Sequence, residues 1–157
     1  MDIPLIEQIK IQAQVLVPVI KALEAELGAE RAHAIVRQAL GAHFRALGER
    51  WWRAQGAGNF GDKLAASFQQ FAAADALDYE VLQQTENAFD VNVTGCRYAR
   101  FYQALGVPEL GFLLVCSADV TMAAGSGAGM QLTRTQTIMQ GAAHCDFRYS
   151  LTKDLDS

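Results

Sequence analysis

The hydrophobic pattern of this chain changes its period near Tyr79, and that change limits the fold more than any other feature. Before it, apolar residues recur at helical spacing. Leu5, Ile9, Leu16, Ile20, Leu23 and Leu27 mark a first helix, with Gly28 where a C-cap belongs. Pro18 falls inside this run and predicts a kink or a split near Val17. A second helix, from Ala29 to about Arg53, sets Ile35, Val36, Leu40, Phe44 and Leu47 on one side and closes on Trp51 and Trp52. The Gly56-Ala57-Gly58-Asn59 loop leads into a third helix, with Asp62 as its N-cap and an end near Ala74.

From Tyr79 onward the chain reads differently. Tyr79 and Val81 open a strand, and after Asn87 the residues Phe89, Val91 and Val93 alternate with Asp90, Asn92 and Thr94. That period of two belongs to a half-buried strand. Thr94 then reads as the N-cap of a short helix from Cys96 to Leu105, ended by Gly106. Pro108 and Glu109 open a further helix through about Ala124, and Gly125 to Gly129 form a flexible loop suited to a lid. Met130 to Gln140 and His144 to Leu151 read as two strands joined by a turn at Gly141. The predicted fold is α+β: an N-terminal helical layer packed on a small, mainly antiparallel sheet, with two helices inserted between strands. No repeat or linker divides the chain, so one domain is expected over residues 1–157. Residues 1–78 would be its helical part, and residues 79–157 the α+β part carrying the site.

Composition narrows the function classes. At 157 residues and 51% hydrophobic content the chain builds one ordinary core. Charged residues make up only 19%, so a homo-oligomer that covers some apolar surface is expected. A net charge of -4, with no basic cluster, argues against nucleic acid as a partner. No apolar run is long enough for a membrane span, and the N-terminus lacks the order of a secretion signal, so a cytoplasmic location is expected. Three cysteines without a CxxC pair fit neither a secreted disulfide framework nor a zinc knuckle.

The residues that carry chemistry lie between Phe89 and Tyr149. Cys96, in the first turn of its expected helix, meets conditions that lower a thiol pKa, with Arg97 beside it; it also suits plain packing of a strand-to-helix corner. Asp119 is the one charge between Phe112 and Ala124, on a helix apolar almost all round, and it shares a helical face with Cys116, Phe112 and Ala123. A carboxylate there needs a partner, and Arg134, Arg97 and Arg148 are the candidates. In the last strand Cys145 should face the core with Phe147 and Tyr149, whereas His144, Asp146 and Arg148 face the other way. His144 and Cys145 are therefore a poor dyad. Arg134 and Gln136, on one face with Leu132 and Ile138, suit a small carboxylate. His33 and His43 are single among Ala-rich neighbours and read as structural or surface residues. There is no serine-nucleophile motif, no phosphate loop and no His-rich metal set.

These residues together resemble a known family. The string Phe89-x-Val91-x-Val93-Thr94-x-Cys96-x-Tyr98-Ala99, then Leu105-Gly106-x-Pro108-Glu109-Leu110-Gly111, Cys116-x-x-Asp119, Leu132-x-Arg134-Thr135-Gln136-Thr137 and Cys145-Asp146-Phe147-Arg148 resembles the L-2-amino-thiazoline-4-carboxylic acid hydrolases. The resemblance implies ring-opening hydrolysis of a small heterocyclic carboxylate or amide, in the named case giving N-carbamoyl-cysteine. The matching positions are Cys96, Cys116, Asp119, Arg134, Gln136, Cys145 and Asp146. Chemistry then suggests a thiolate nucleophile, Cys116 first and Cys96 second, with Asp119 moving protons and Arg134, Gln136 and Asp146 holding substrate. No resident cofactor is expected. Two alternatives stand beside this: a zinc ion held by the three thiols with Asp119 or water, or a binding protein that catalyses nothing.

Overall fold

The computed structural model describes residues 2–127 and 129–152. Three helices come first: α1 (Leu5–Leu27), α2 (Ala29–Ala54) and α3 (Phe60–Phe71). α1 and α2 pack against each other across Gly28, whose φ of +81° is one that glycine adopts without steric cost. Of the kink or split expected at Pro18, the split does not occur: α1 is one helix from Leu5 to Leu27 with Pro18 inside it. Pro18 and Gln14 both lie on the exposed side of the helix, so the carbonyl that loses its donor meets water. Ile35 is also corrected: it is 39% exposed, while its neighbour Val36 enters the core. α3 begins three residues before expectation. Asn59 is its N-cap, and Asp62 is the third helical residue, the two exchanging hydrogen bonds in a capping box.

A 3₁₀ turn (Ala73–Asp75) leads into the second half. There β1 (Leu77–Gln84) and β2 (Ala88–Cys96) precede α4 (Arg97–Ala104), α5 (Pro108–Gly111), a π-helical turn (Phe112–Cys116) and α6 (Ser117–Gly125). β3 (Met130–Thr133), a 3₁₀ turn (Ile138–Gln140) and β4 (Cys145–Leu151) follow. The sheet order is β1-β2-β4-β3 with every pairing antiparallel. This is the expected α+β architecture, with the helical segments α4 to α6 inserted between β2 and β3. In the β2–β4 register Phe89 faces Tyr149 and Val93 faces Cys145, so the alternation seen in β2 continues across the ladder.

Two boundaries in this half differ from expectation. Met130 to Gln140 is not one strand. β3 ends at Thr133, because the Asp146 carboxylate takes the backbone N–H groups of Thr135 and Gln136 at 2.8 and 3.0 Å, which removes those donors from the ladder. At the start of α4 the cap is Cys96 rather than Thr94, with its sulfur accepting from the Ala99 N–H at 3.4 Å. Thr94 instead donates to the Asp78 carbonyl across β1. Of the glycine loop, Gly125 closes α6 and Gly129 is tied to Thr152 by a 2.8 Å backbone bond; Ala128 lies outside the described residues.

Two apolar clusters hold these layers together. One gathers Ile6, Ile20, Tyr102 and Leu110 between α1, α4 and α5. The other packs Leu64 and Phe68 of α3 on Phe89, Val91 and Tyr149 of the sheet. The bridge between the helical layer and the site is the contact of α2 with α6. There the backbones approach so closely that a β-carbon on Gly48 would overlap the Met122 main chain, and one on Gly125 the Arg45 main chain. Gly48→Ala should therefore destabilise the protein by about 1–3 kcal/mol, the usual cost of overpacking. Urea unfolding of wild type and variant checks this; an unchanged midpoint would show that the helices can part at no cost.

Candidate functional site

The site begins with an irregularity in the helix that carries Asp119. Over Phe112–Cys116 the chain winds as a π turn, and the Ser117 N–H bonds the Phe112 carbonyl five residues back. One extra residue in the turn rotates everything before it relative to everything after. Phe112 is consequently swung away from the face it was expected to share with Cys116 and Asp119, and it lies beside Ser117 on a different side. Two carbonyls of this segment accept from side chains. Ser117 Oγ donates to the Leu113 carbonyl at 2.5 Å, and Arg134 Nη2 donates to the Cys116 carbonyl at 2.9 Å.

Arg134 is also the partner of Asp119, with Nη1 3.1 Å from Oδ2. The other two candidate arginines are engaged elsewhere: Arg97 donates to the Ala74 carbonyl, and Arg148 to Asn92 and to carbonyls of Val91 and Phe147. Below the guanidinium plane lies the Phe147 ring, its centroid 5.0 Å away. The Arg134 side chain is 6% exposed, whereas Asp119 keeps 30%. Burial nevertheless pushes the Asp119 carboxyl up to about 6, against the opposing pull of Arg134. The carboxylate is thus partly exposed on one side and surrounded by protein on the others.

The three thiols converge electrostatically on this pair. Negative charge on Asp119 raises the pKa of Cys96, Cys116 and Cys145, and also of Tyr98 and Tyr149. The dominant cause in each is burial. Cys96 is pushed up to about 11, the reverse of the lowering expected from a helix start, because desolvation outweighs the Ala99 and Tyr98 N–H groups. Cys116 is pushed up further, again by burial, with Asp119 adding to it. Cys145 points into the core, as its strand parity required, and its sulfur accepts from the Ile138 N–H at 3.2 Å.

The remaining expected positions turn to structural partners. Asp146 accepts from the Thr135 hydroxyl as well as from two backbone N–H groups; burial alone would raise its carboxyl, but these bonds hold it below the usual range. It thereby fixes the backbone immediately after Arg134. Gln136 donates to the His144 carbonyl at 3.0 Å, so it lies over the β4 entry rather than on a strand face with Arg134. His33, expected to lack a carboxylate, bonds Glu24 at 2.7 Å across the α1–α2 pair. Sequence reasoning missed the π turn, because nothing in Phe112–Cys116 distinguishes it from a regular buried helix.

With this geometry in place, residues 8–149 match the sequence profile of the family described as L-2-amino-thiazoline-4-carboxylic acid hydrolase. The chain belongs to that family. None of the curated proteins compared matches it. Among solved structures it is similar to the crystal structure of the phenol-responsive sensory domain of the transcription activator PoxR with phenol. The TM-score is 0.51 at 14% identity, covering 90% of this chain and 75% of that one. At that identity the likeness is one of fold. No helix among the described residues is long and apolar enough to cross a membrane.

Among the described residues, no three His, Cys, Asp or Glu side chains are grouped to hold a metal ion. The Asp119 assignment has a consequence for stability. Its folded pKa lies above the ordinary carboxylate value, so the native state binds this proton more tightly than the unfolded chain. Stability from it is complete below about pH 4 and is lost as pH rises through about 6. Relative to Asp119→Asn, wild type should lose about 1–2 kcal/mol between pH 4 and 7, less than a fully enclosed carboxyl would show. Denaturation at a series of pH values measures this; parallel curves for the two proteins would refute the assignment.

Proposed function

We propose that this protein hydrolyses a small cyclic amidine or amide bearing a carboxylate, with water as the nucleophile and Asp119 as the acid–base group. Family membership supplies the reaction class, and one observation supplies the residue: a reachable carboxyl beside Arg134 that burial tunes to about 6. A base poised near working pH combines the right protonation state with a useful proton affinity. The thiols lack that poise. All three are pushed up by burial, so a resting thiolate is disfavoured.

For an aminothiazoline carboxylate the steps are as follows. The Asp119 carboxylate takes a proton from water as its oxygen bonds the amidine carbon. The ring nitrogen takes that proton as the carbon–nitrogen double bond opens. In the collapse of the tetrahedral adduct Asp119 takes the remaining hydroxyl proton as the carbonyl forms. The ring carbon–sulfur bond breaks, and this second proton passes to the departing sulfur, leaving N-carbamoyl-cysteine. Arg134 uses one N–H on Asp119 and one on the Cys116 carbonyl, and a substrate carboxylate that reaches past the Asp119 side would meet the rest of its guanidinium.

A second reading has one observation in its favour. The structural relative is a sensory domain solved with phenol, and a binding pocket on this fold needs no catalyst. Product formation separates the two. With 2-aminothiazoline-4-carboxylate, kcat/KM should rise with pH through an inflection near 6, and Asp119→Asn should lose about a hundredfold or more. Cys116→Ala, Cys96→Ala and Cys145→Ala should each stay within about tenfold of wild type. Loss of turnover in a single cysteine variant would restore the thiolate mechanism. Calorimetric binding without product by mass spectrometry would leave the sensor reading instead.

A further inference from the structure

An open groove of about 630 Å³ lies on another side of the π turn from Asp119, lined by Phe112, Leu113 and Met139. A smaller hollow of about 90 Å³ adjoins it along the seam between α2 and α6, walled by Leu40 and Phe44. Arg37, Leu113 and Ser117 line both. Neither Asp119 nor Arg134 lines either hollow, so a ligand here would not occupy the site described above.

Charge at this place is uneven. Glu109 on the rim faces Lys21 at 3.5 Å, and Lys21 also holds Glu24 at 3.0 Å, which His33 contacts from the other side. The acids near the groove are thus already engaged. Arg37 is exposed and makes no hydrogen bond or ion pair with any described residue. It is an uncompensated guanidinium at the junction of two apolar hollows. Such a fork offers paired N–H donors to a carboxylate, while the lining accepts an apolar body.

We infer that this groove is a second small-molecule site, one that takes an amphipathic monocarboxylic acid with its carboxylate on Arg37 and its apolar part on Phe112, Leu113 and Met139. The inference stands whether or not Asp119 is catalytic.

The probes are 4-phenylbutyrate and its uncharged counterpart 4-phenylbutanol, titrated into the full chain by calorimetry and by amide chemical shifts. Wild type should bind the acid at least about tenfold more tightly than the alcohol, with shifts centred on Arg37, Leu113 and Ser117. Arg37→Gln should weaken the acid by about tenfold, the effect of removing a charged hydrogen-bond partner, and leave the alcohol unchanged. Arg37 is exposed and unbonded, so this variant should unfold at the wild-type temperature. Asp119→Asn should bind the acid as wild type does. Equal affinity for acid and alcohol, no binding at millimolar concentration, or loss of binding in Asp119→Asn but not in Arg37→Gln would each overturn the assignment.

Discussion

The site depends on one guanidinium. Arg134 touches α6 through Asp119, the π turn through the Cys116 carbonyl, and the sheet through the Phe147 ring. It therefore joins the helical insert to β4 at a single planar group. A cation buried to 6% exposure is costly unless its donors are satisfied, and each of these partners repays part of that cost. Its own position is set from behind. Three hydrogen bonds from Thr135 and Gln136 to Asp146 fix the turn that Arg134 leaves. Asp146 thus shapes the site without needing to face a substrate.

The π turn explains how one helical segment serves two different surfaces. In a regular helix Phe112, Cys116, Asp119 and Ala123 would form one stripe. The extra residue breaks that stripe, sending Phe112 and Leu113 toward the open groove while Cys116 and Asp119 turn toward Arg134. At the end of the turn the Cys116 carbonyl also accepts from Arg134. The close fit of Gly48 and Gly125 between α2 and α6 holds the rotated segment in place.

Much of this was legible in the residues, and the rest was hidden for identifiable reasons. Strand β2 announced itself by alternation, and the same parity placed Cys145 inward and separated it from His144. The Asp119 partner was narrowed to three arginines by the cost of a lone buried charge, and one of them proved correct. What failed was each inference that needed a local hydrogen-bond choice. Asn59 and Asp62 share the start of α3, and either could have been its cap. Thr135 and Gln136 continue the strand pattern, but a side chain eleven and ten positions away captured their backbone donors. The π turn left no trace at all, because apolar residues such as Leu113 and Leu114 suit either winding. Local propensity cannot see a competitor distant in sequence.

The thiols and the acid also show why burial must be weighed group by group. Desolvation disfavours the charged form of each, and it is the largest influence on Asp119, Cys96, Cys116 and Cys145 alike. Its chemical consequences are opposite. A carboxyl lifted to about 6 moves toward neutrality, where one group can both take and return a proton. A thiol that starts near 9 and is lifted moves away from neutrality, which disfavours its thiolate form. The same apolar setting that puts Cys116 beside an acid therefore also raises its thiol pKa. Only a strong local cation could reverse this, and Arg134, which does lower Cys116, is outweighed by burial and by Asp119. An environment that lifts the Asp119 carboxyl toward neutrality is, by the same physics, one that lifts the neighbouring thiols away from it.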